Sequence, residues 1–492
     1  MTSSGPSRRI ADMHEPARRL RRGLALVSVW ALVPTLVGVL LYYPGLTMND
    51  TAMRSVMAVA MSRDVAWRPG FLSDWFPHGM TVLLAASLRL FGSTGPLLPV
   101  MLFWFYASVG WLMVGLRAPR AALAAQTVMA MFPPIFTHAA CQLPDPWTSA
   151  ALCTLGAALA ILGDRGREGP LPDWLTAAAS GLAVIALAVL FTFRANSIVL
   201  LPLVLLLIVW LVRPRLRAGV LAACALAFGA LFVKLPGWVG WEHRNTAAAS
   251  LVWEHIGMLG MAKDPELTKR HAIDDLCSTP DGTAALIARH NWFTHDSVMW
   301  AQPQILDHGK LLSPDSPMRR RIGGLIGEHP KLYLRAKWEI WKTLLGLRDW
   351  MPLSWIPIHE TKWEREWGLD LRLHAPLQST TEALNERLRS VEAYYNASTA
   401  PWIYLSLAGL LAAVTTACRR IERSTGAVLL LAVGYYATFF ILTPGLNYRY
   451  FLPSHVLLIA AIGAMLAALL RRSGTPAGPA LRPDDETPAT GT

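Results

Sequence analysis

Five residues of this 492-residue chain stand where a polar side chain is costly to keep and useful to have: Asp50, His78, Asp145, Arg194 and Arg449. Each lies at the margin of an apolar run, within YYPGLTMND, FPHGMTVLLAASLRLFG, LPDPW, FTFRANS and NYRYFLP respectively. A carboxylate can take the proton of an acceptor hydroxyl or hold a divalent cation. An arginine offers a planar fork that matches phosphate oxygens, and a histidine can relay a proton or bond a phosphate. Each residue also has a plainer role. Asp50 before TAMRSVMAVAMS and Asp145 before Pro146 fit helix caps, His78 fits an interfacial anchor, and both arginines fit side chains reaching for lipid headgroups.

The elements that must position these residues are legible in the hydropathy. The chain is 53% hydrophobic and 16% charged, with a mean hydropathy of +0.36, whereas a soluble domain carries about 25% charged residues. Apolar runs lie near 24–43, 78–91, 97–116, 121–140, 147–163, 174–193, 197–212, 218–238, 401–417, 425–442 and 452–470. The run at 78–91 is short, holds Arg89 and follows Pro77, so it reads as an interfacial or re-entrant helix.

Charge placement agrees. With ten crossings, Arg117 and Arg120, Arg165 and Arg167, Arg213 to Arg217, Arg419 and Arg420, and Arg471 and Arg472 all fall on the side of the basic N-terminus. That satisfies the positive-inside rule throughout, and a crossing at 78–91 would invert every later loop. The expected fold is an all-α polytopic membrane protein of about ten transmembrane helices, with both termini cytoplasmic. An interfacial helix and an extracytoplasmic, mainly helical domain complete it. Asp50, His78, Asp145, Arg194 and Arg449 then share the exterior face.

The expected organisation is a cytoplasmic tail at 1–23, a transmembrane module at 24–238 with a first exterior loop at 44–96, an exterior domain at 239–400, C-terminal transmembrane helices at 401–470 and a disordered tail at 471–492. The exterior domain is tryptophan-rich: 12 of the 20 tryptophans fall from Trp238 to Trp402 inclusive, ten of them within 239–400. Helices such as YLRAKWEIWKTLLGL could lie on the membrane or simply fill a core. Five scattered cysteines form no CxxC pair and imply neither a disulfide framework nor a structural zinc site. The arginine clusters abut spans rather than forming one basic face, which argues against a nucleic-acid partner. No P-loop, GxGxxG, HExxH or GxSxG motif is present.

In the order of these parts the chain resembles the membrane glycosyltransferases of superfamily C, the GT-C fold. A first span leads to an exterior acidic residue, Asp50; FPHGMTVLLAASLRLFG supplies a proline-opened short helix ending in Phe-Gly; LPDPW supplies a second exterior Asp; NYRYFLP supplies an Arg-Tyr motif before a terminal span. The resemblance covers roughly 24–240 and 401–470. The chain departs from the family pattern in having a single acidic residue after the first span and Phe-Pro-His where His-Pro-Pro is frequent. The resemblance implies transfer of a sugar from a polyprenyl-phosphate donor to an extracytoplasmic glycan, lipid or protein acceptor, in a bacterial inner (plasma) membrane. It implies Asp50 as catalytic base or metal-linked carboxylate, Asp145 as its partner, His78 beside them, and Arg449, with Arg194, on the lipid phosphate. A divalent cation, Mg2+ or Mn2+, would sit on Asp50 and Asp145. The competing expectations are a transporter or flippase, and an envelope polysaccharide polymerase or ligase.

Overall fold

The structure is a computed structural model, and it describes residues 6–46, 49–62, 78–165, 171–238, 244–300, 302–348, 376–441 and 447–471. The expected C-terminal tail, the segment LSDWFP ahead of His78 and residues 349–375 of the expected exterior domain lie outside the described residues. Among the described residues every regular element is helical, and the only β pairing is two isolated bridges.

The bundle helices are α1 (Pro6–Tyr42), α2 (Asn49–Ser62), α3 (His78–Phe91), α4 (Leu97–Gly115), α5 (Pro119–Met131), α6 (Pro133–Ala139) and α7 (Pro144–Ala160). They continue as α8 (Asp173–Phe193), α9 (Leu201–Leu211), α10 (Arg215–Trp238), α11 (Pro401–Ala417), α12 (Arg423–Ile441) and α13 (Tyr448–Leu470). Among the described residues, seven helical stretches are long and apolar enough to cross a bilayer about 30 Å thick. Their lipid side is legible in exposed Leu26, Val29, Leu32 and Leu36 of α1, Val220 and Val233 of α10, and Leu410 of α11. An apolar surface of that extent needs a hydrocarbon solvent. The chain is a multi-pass membrane protein, helical in the regular elements of its described residues.

The other expected runs depart from simple spans for local reasons. The run at 121–140 is two helices, because Pro133 and Pro134 offer no N–H groups and Phe132 before them is extended. The run at 197–212 starts as a 3-10 turn, Ala195–Leu200, before α9. The run at 425–442 is helical as α12, which opens on Arg423 and carries several polar positions.

Contacts define two ends of the bundle. At one end Leu46 pairs with the Cys141 turn, its N–H donating to Ala140 O at 2.9 Å while Gln142 N–H donates to Leu46 O at 3.0 Å. At the other, Arg117 pairs with Glu422 at 3.4 Å, Ser424 N–H donates to Asp164 at 2.9 Å, and Arg420 donates to Leu469 O at 2.9 Å. Helix α3 begins and ends at the first of these ends. A Cβ on Gly79 would stand 2.6 Å from Phe193, the tip of α8, and Gly95 just past α3 abuts Tyr43, the tip of α1. Arg89 near its end donates to Met61 O at 2.8 Å, the tip of α2.

The segment between α10 and α11 builds a separate helical core around fully buried Trp253, with Ile256, Leu306, Leu311, Met318 and Ile340. It seats on the first end of the bundle: Tyr436 donates to Leu344 O, Trp402 N–H donates to Leu345 O at 3.0 Å, and Trp341 packs on Phe440 with ring centroids 5.6 Å apart. Two tryptophans of this segment have different surroundings. Trp253 fills the core, whereas Trp338 is 49% exposed.

Candidate active site at one end of the bundle

Helix α2 starts at Asn49, so Asp50 sits in its first turn, where the free N–H groups favour a carboxylate. The cap expectation therefore needs correction: Asp50 lies inside the helix, and its Oδ2 accepts from Arg449 Nη1 at 2.5 Å. Asp145 needs the same correction. Helix α7 opens at Pro144 with Leu143 at the cap position, and the Asp145 side chain makes no cap bond. It pairs with Arg194, which leaves the end of α8 in an extended conformation.

The two pairs meet at one ring. Tyr450 lies between both guanidiniums, with Arg194 Cζ 5.2 Å and Arg449 Cζ 5.0 Å from its centroid, and its hydroxyl accepts from Arg449 Nη2 at 3.0 Å. Such cation–π contacts strengthen as water is withdrawn. Phe439 stacks on the Tyr450 ring at 5.0 Å, and Tyr435 lies beside Arg194. Helix α13 presents Arg449 and Tyr450 from its first turn, where the Asn447 side chain accepts from Arg449 N–H at 3.1 Å. Pro453, one turn on, has no N–H to give the Arg449 carbonyl.

A third arginine completes the charge set. Arg54 follows Asp50 by one helical turn and is 3% exposed. Burial by itself would raise the Asp50 carboxyl, but Arg449, then Arg54, then Arg194 outweigh it and hold the carboxyl below its ordinary range. Three guanidiniums around two carboxylates leave a formal surplus of one positive charge.

That surplus decides what the site can hold. A divalent cation would have to displace guanidiniums already paired to both carboxylates, and among the described residues no three His, Cys, Asp or Glu side chains converge. The donor set does not suit Mg2+ or Mn2+. It suits an anion with several oxygens. The donors Arg194 Nε and Arg449 Nε are buried without a hydrogen-bond partner, an expensive state that an acceptor oxygen would relieve.

His78 heads α3 as expected, but it is 3% exposed and faces Phe232 of α10 at 6.3 Å between ring centroids, which is not the setting of an interfacial anchor. Burial, then the charge of Arg54, push its imidazole down to about 4, so it is neutral at physiological pH. It borders the site through Arg54.

The structure thus brings Asp50, Asp145, Arg194 and Arg449 together and sets His78 at the margin. It adds Arg54, Tyr450, Tyr435 and His295. Arg54 could have been found from its i, i+4 spacing to Asp50 on an otherwise apolar helix. Tyr450 had its adjacency to Arg449. His295 had no local signal: it comes from the domain between α10 and α11, its Nε2 stands 3.6 Å from Asp296, and the charges of Asp50 and Arg449 act on it. Below the pairs, Tyr448 and His455 Nδ1 share a hydrogen bond of 2.6 Å, with the His138 ring 4.9 Å from Tyr448.

Comparison with known protein families, with characterised proteins and with solved structures finds no match to this chain.

Proposed function

We propose that the chain is a membrane glycosyltransferase that moves a sugar from a polyprenyl-phosphate donor to an extracytoplasmic glycan, lipid or protein acceptor. One observation carries this reading: three buried or half-buried arginines close around two carboxylates at one end of an apolar bundle. A surplus positive charge at the bilayer surface is what a lipid phosphate requires.

In this reading ten helical runs cross the membrane: α1, α4, α5 with α6, α7, α8, α9 with its 3-10 turn, α10, α11, α12 and α13. Helix α3 lies along the exterior face. The end bearing Arg117, Arg420 and Arg471 is cytoplasmic, as are both termini, and the membrane is a bacterial inner membrane.

The chemistry follows from the partners. Arg449 and Arg194 hold the donor phosphate, and Arg54 adds its charge. Asp50 takes the proton of the acceptor hydroxyl as that oxygen bonds to the anomeric carbon and the bond from this carbon to the phosphate oxygen breaks. The departing polyprenyl phosphate keeps the electron pair, and the guanidiniums stabilise it. Asp145 is a positioning residue that aims Arg194. Because Asp50 and the phosphate compete for Arg449, donor binding loosens the resting pair and leaves Asp50 free to act as base.

The test is transfer in proteoliposomes supplied with polyprenyl-phosphate sugars. The parental protein is expected to consume one of them in the presence of a glycan or lipid acceptor, and correctly inserted Asp50→Asn protein to be nearly inactive. Turnover of none of the lipid-linked sugars, with no lipid-linked sugar accumulating in cells that lack the protein, would reject the reading.

A further inference from the structure

At the end of the bundle opposite the ion pairs, the turn between α9 and α10 opens a groove of about 500 Å3 lined by Val209, Trp210, Arg213, Arg215, Ala218 and Gly219. Positive charge in this turn is enough to orient the neighbouring spans, and that task needs no groove. Two observations point further. The first is what the arginines do not do. At this end Arg117 is paired with Glu422 and Arg420 donates to the Leu469 carbonyl. Among the described residues, the guanidiniums of Arg213 and Arg215 make neither an ion pair nor a hydrogen bond.

The second is the shape between them. Ala218 and Gly219 leave the floor low, and a Cβ added to Gly219 would meet nothing within 4 Å. The flanks are apolar and outward-facing: Leu206, Val209, Leu216 and Val220 are each more than half exposed, and Trp210 is 41% exposed. Tryptophan is favoured at the headgroup level of a bilayer. A slot with an apolar floor and flanks, rimmed by two unpaired guanidiniums beside an interfacial tryptophan, has the polarity of a phospholipid.

We propose that this groove binds one anionic phospholipid, with its phosphate between Arg213 and Arg215 and an acyl chain laid over Gly219 along Val209. Charge complementarity selects an anionic headgroup over a zwitterionic one, because the zwitterion brings a cationic group beside its phosphate into a site already rimmed by two guanidiniums, whereas the anionic lipid leaves their charge opposed only by the phosphate. The proposal is independent of the sugar-transfer reading, since the groove lies at the other end of the bundle.

Native mass spectrometry of the full-length protein, titrated with phosphatidylglycerol and with phosphatidylcholine, tests it. The parental protein is expected to retain one phosphatidylglycerol at least about tenfold more than phosphatidylcholine. The pair R213Q/R215Q should lose that preference. Gly219→Leu fills the slot while leaving both arginines, and should lose retention as well; Gly181→Leu, another open glycine position on α8, should retain it. Equal retention of the two lipids by the parental protein would overturn the proposal. So would full retention by Gly219→Leu, which would reduce the site to surface charge.

Discussion

Asp50 and Arg449 are 399 residues apart in the chain and 2.5 Å apart in space. The pair ties the first turn of α2 to the first turn of α13, and Tyr450 links it to a second pair, Asp145 with Arg194. In the proposed reaction Asp50 would share its arginine with the incoming phosphate and so have two tasks, which substitution separates.

Asp50→Asn keeps the shape and removes the charge. Transfer is expected to fall by about 100-fold or more, as for loss of a general base. Binding of polyprenyl phosphate itself should hold or tighten, because Arg449 is released. Transfer at the parental rate by a correctly inserted Asp50→Asn protein would remove Asp50 from the chemistry.

Arg449→Ala should weaken use of the donor, and Arg449→Lys should recover it only in part, since an ammonium replaces a planar fork. The comparison is made on KM for the lipid-linked sugar. Equal and full activity of both variants would leave Arg449 with no contact to the phosphate.

The Asp145–Arg194 pair is the more buried, with side-chain exposures of 2% and 13%. Removing one partner strands the other, so Asp145→Asn is expected to destabilise the protein by about 3 kcal/mol. The double change Asp145→Asn with Arg194→Gln should cost less than the sum. Thermal melting in detergent measures both, and additive effects would mean the residues are not coupled.

The pH dependence has a definite sign. The Asp50 carboxyl is held below its ordinary value of 3.8, so its charge and the pairing it supports are present above that value and are lost as pH falls through the depressed one. Transfer should therefore show no acid limb from Asp50 between about pH 5 and pH 8. Arg54→Gln removes one of the depressing charges and should move that limb upward. An unchanged limb in this variant would separate Arg54 from Asp50.

Reporter fusions test the orientation. A fusion after Gly92 should report the exterior and one after Arg120 the cytoplasm. An exterior signal at Arg120 would put the opposite end of the bundle, with both ion pairs, on the cytoplasmic side and overturn the proposed exterior site.

The class of protein and the positions of most helices were legible in the sequence, because the cost of placing a side chain in hydrocarbon accumulates locally, residue by residue. The short helix at 78–91 appears at the expected bounds because Pro77 and Arg89 mark its limits locally. The break at Phe132 was equally local, written in Pro133 and Pro134, but a single apolar run at 121–140 concealed it.

Sequence alone also placed Asp50, Asp145, Arg194 and Arg449 on a common side, since the parity of crossings and the arginine bias are properties of order along the chain. Which carboxylate meets which arginine was decided only by the tertiary structure. Pairing depends on the lateral arrangement of the helices, and that is set by close packing and by contacts such as Gln126, whose Nε2 donates to Val27 O at 3.1 Å and Tyr106 O at 2.8 Å and so joins α1, α4 and α5. Nothing in the neighbourhood of Gln126 announces those partners. Hydropathy assigns each residue a depth, and only packing assigns it a neighbour; for that reason the charges of Asp50 and Arg449 act on His295, from a domain far along the chain, without a local signal.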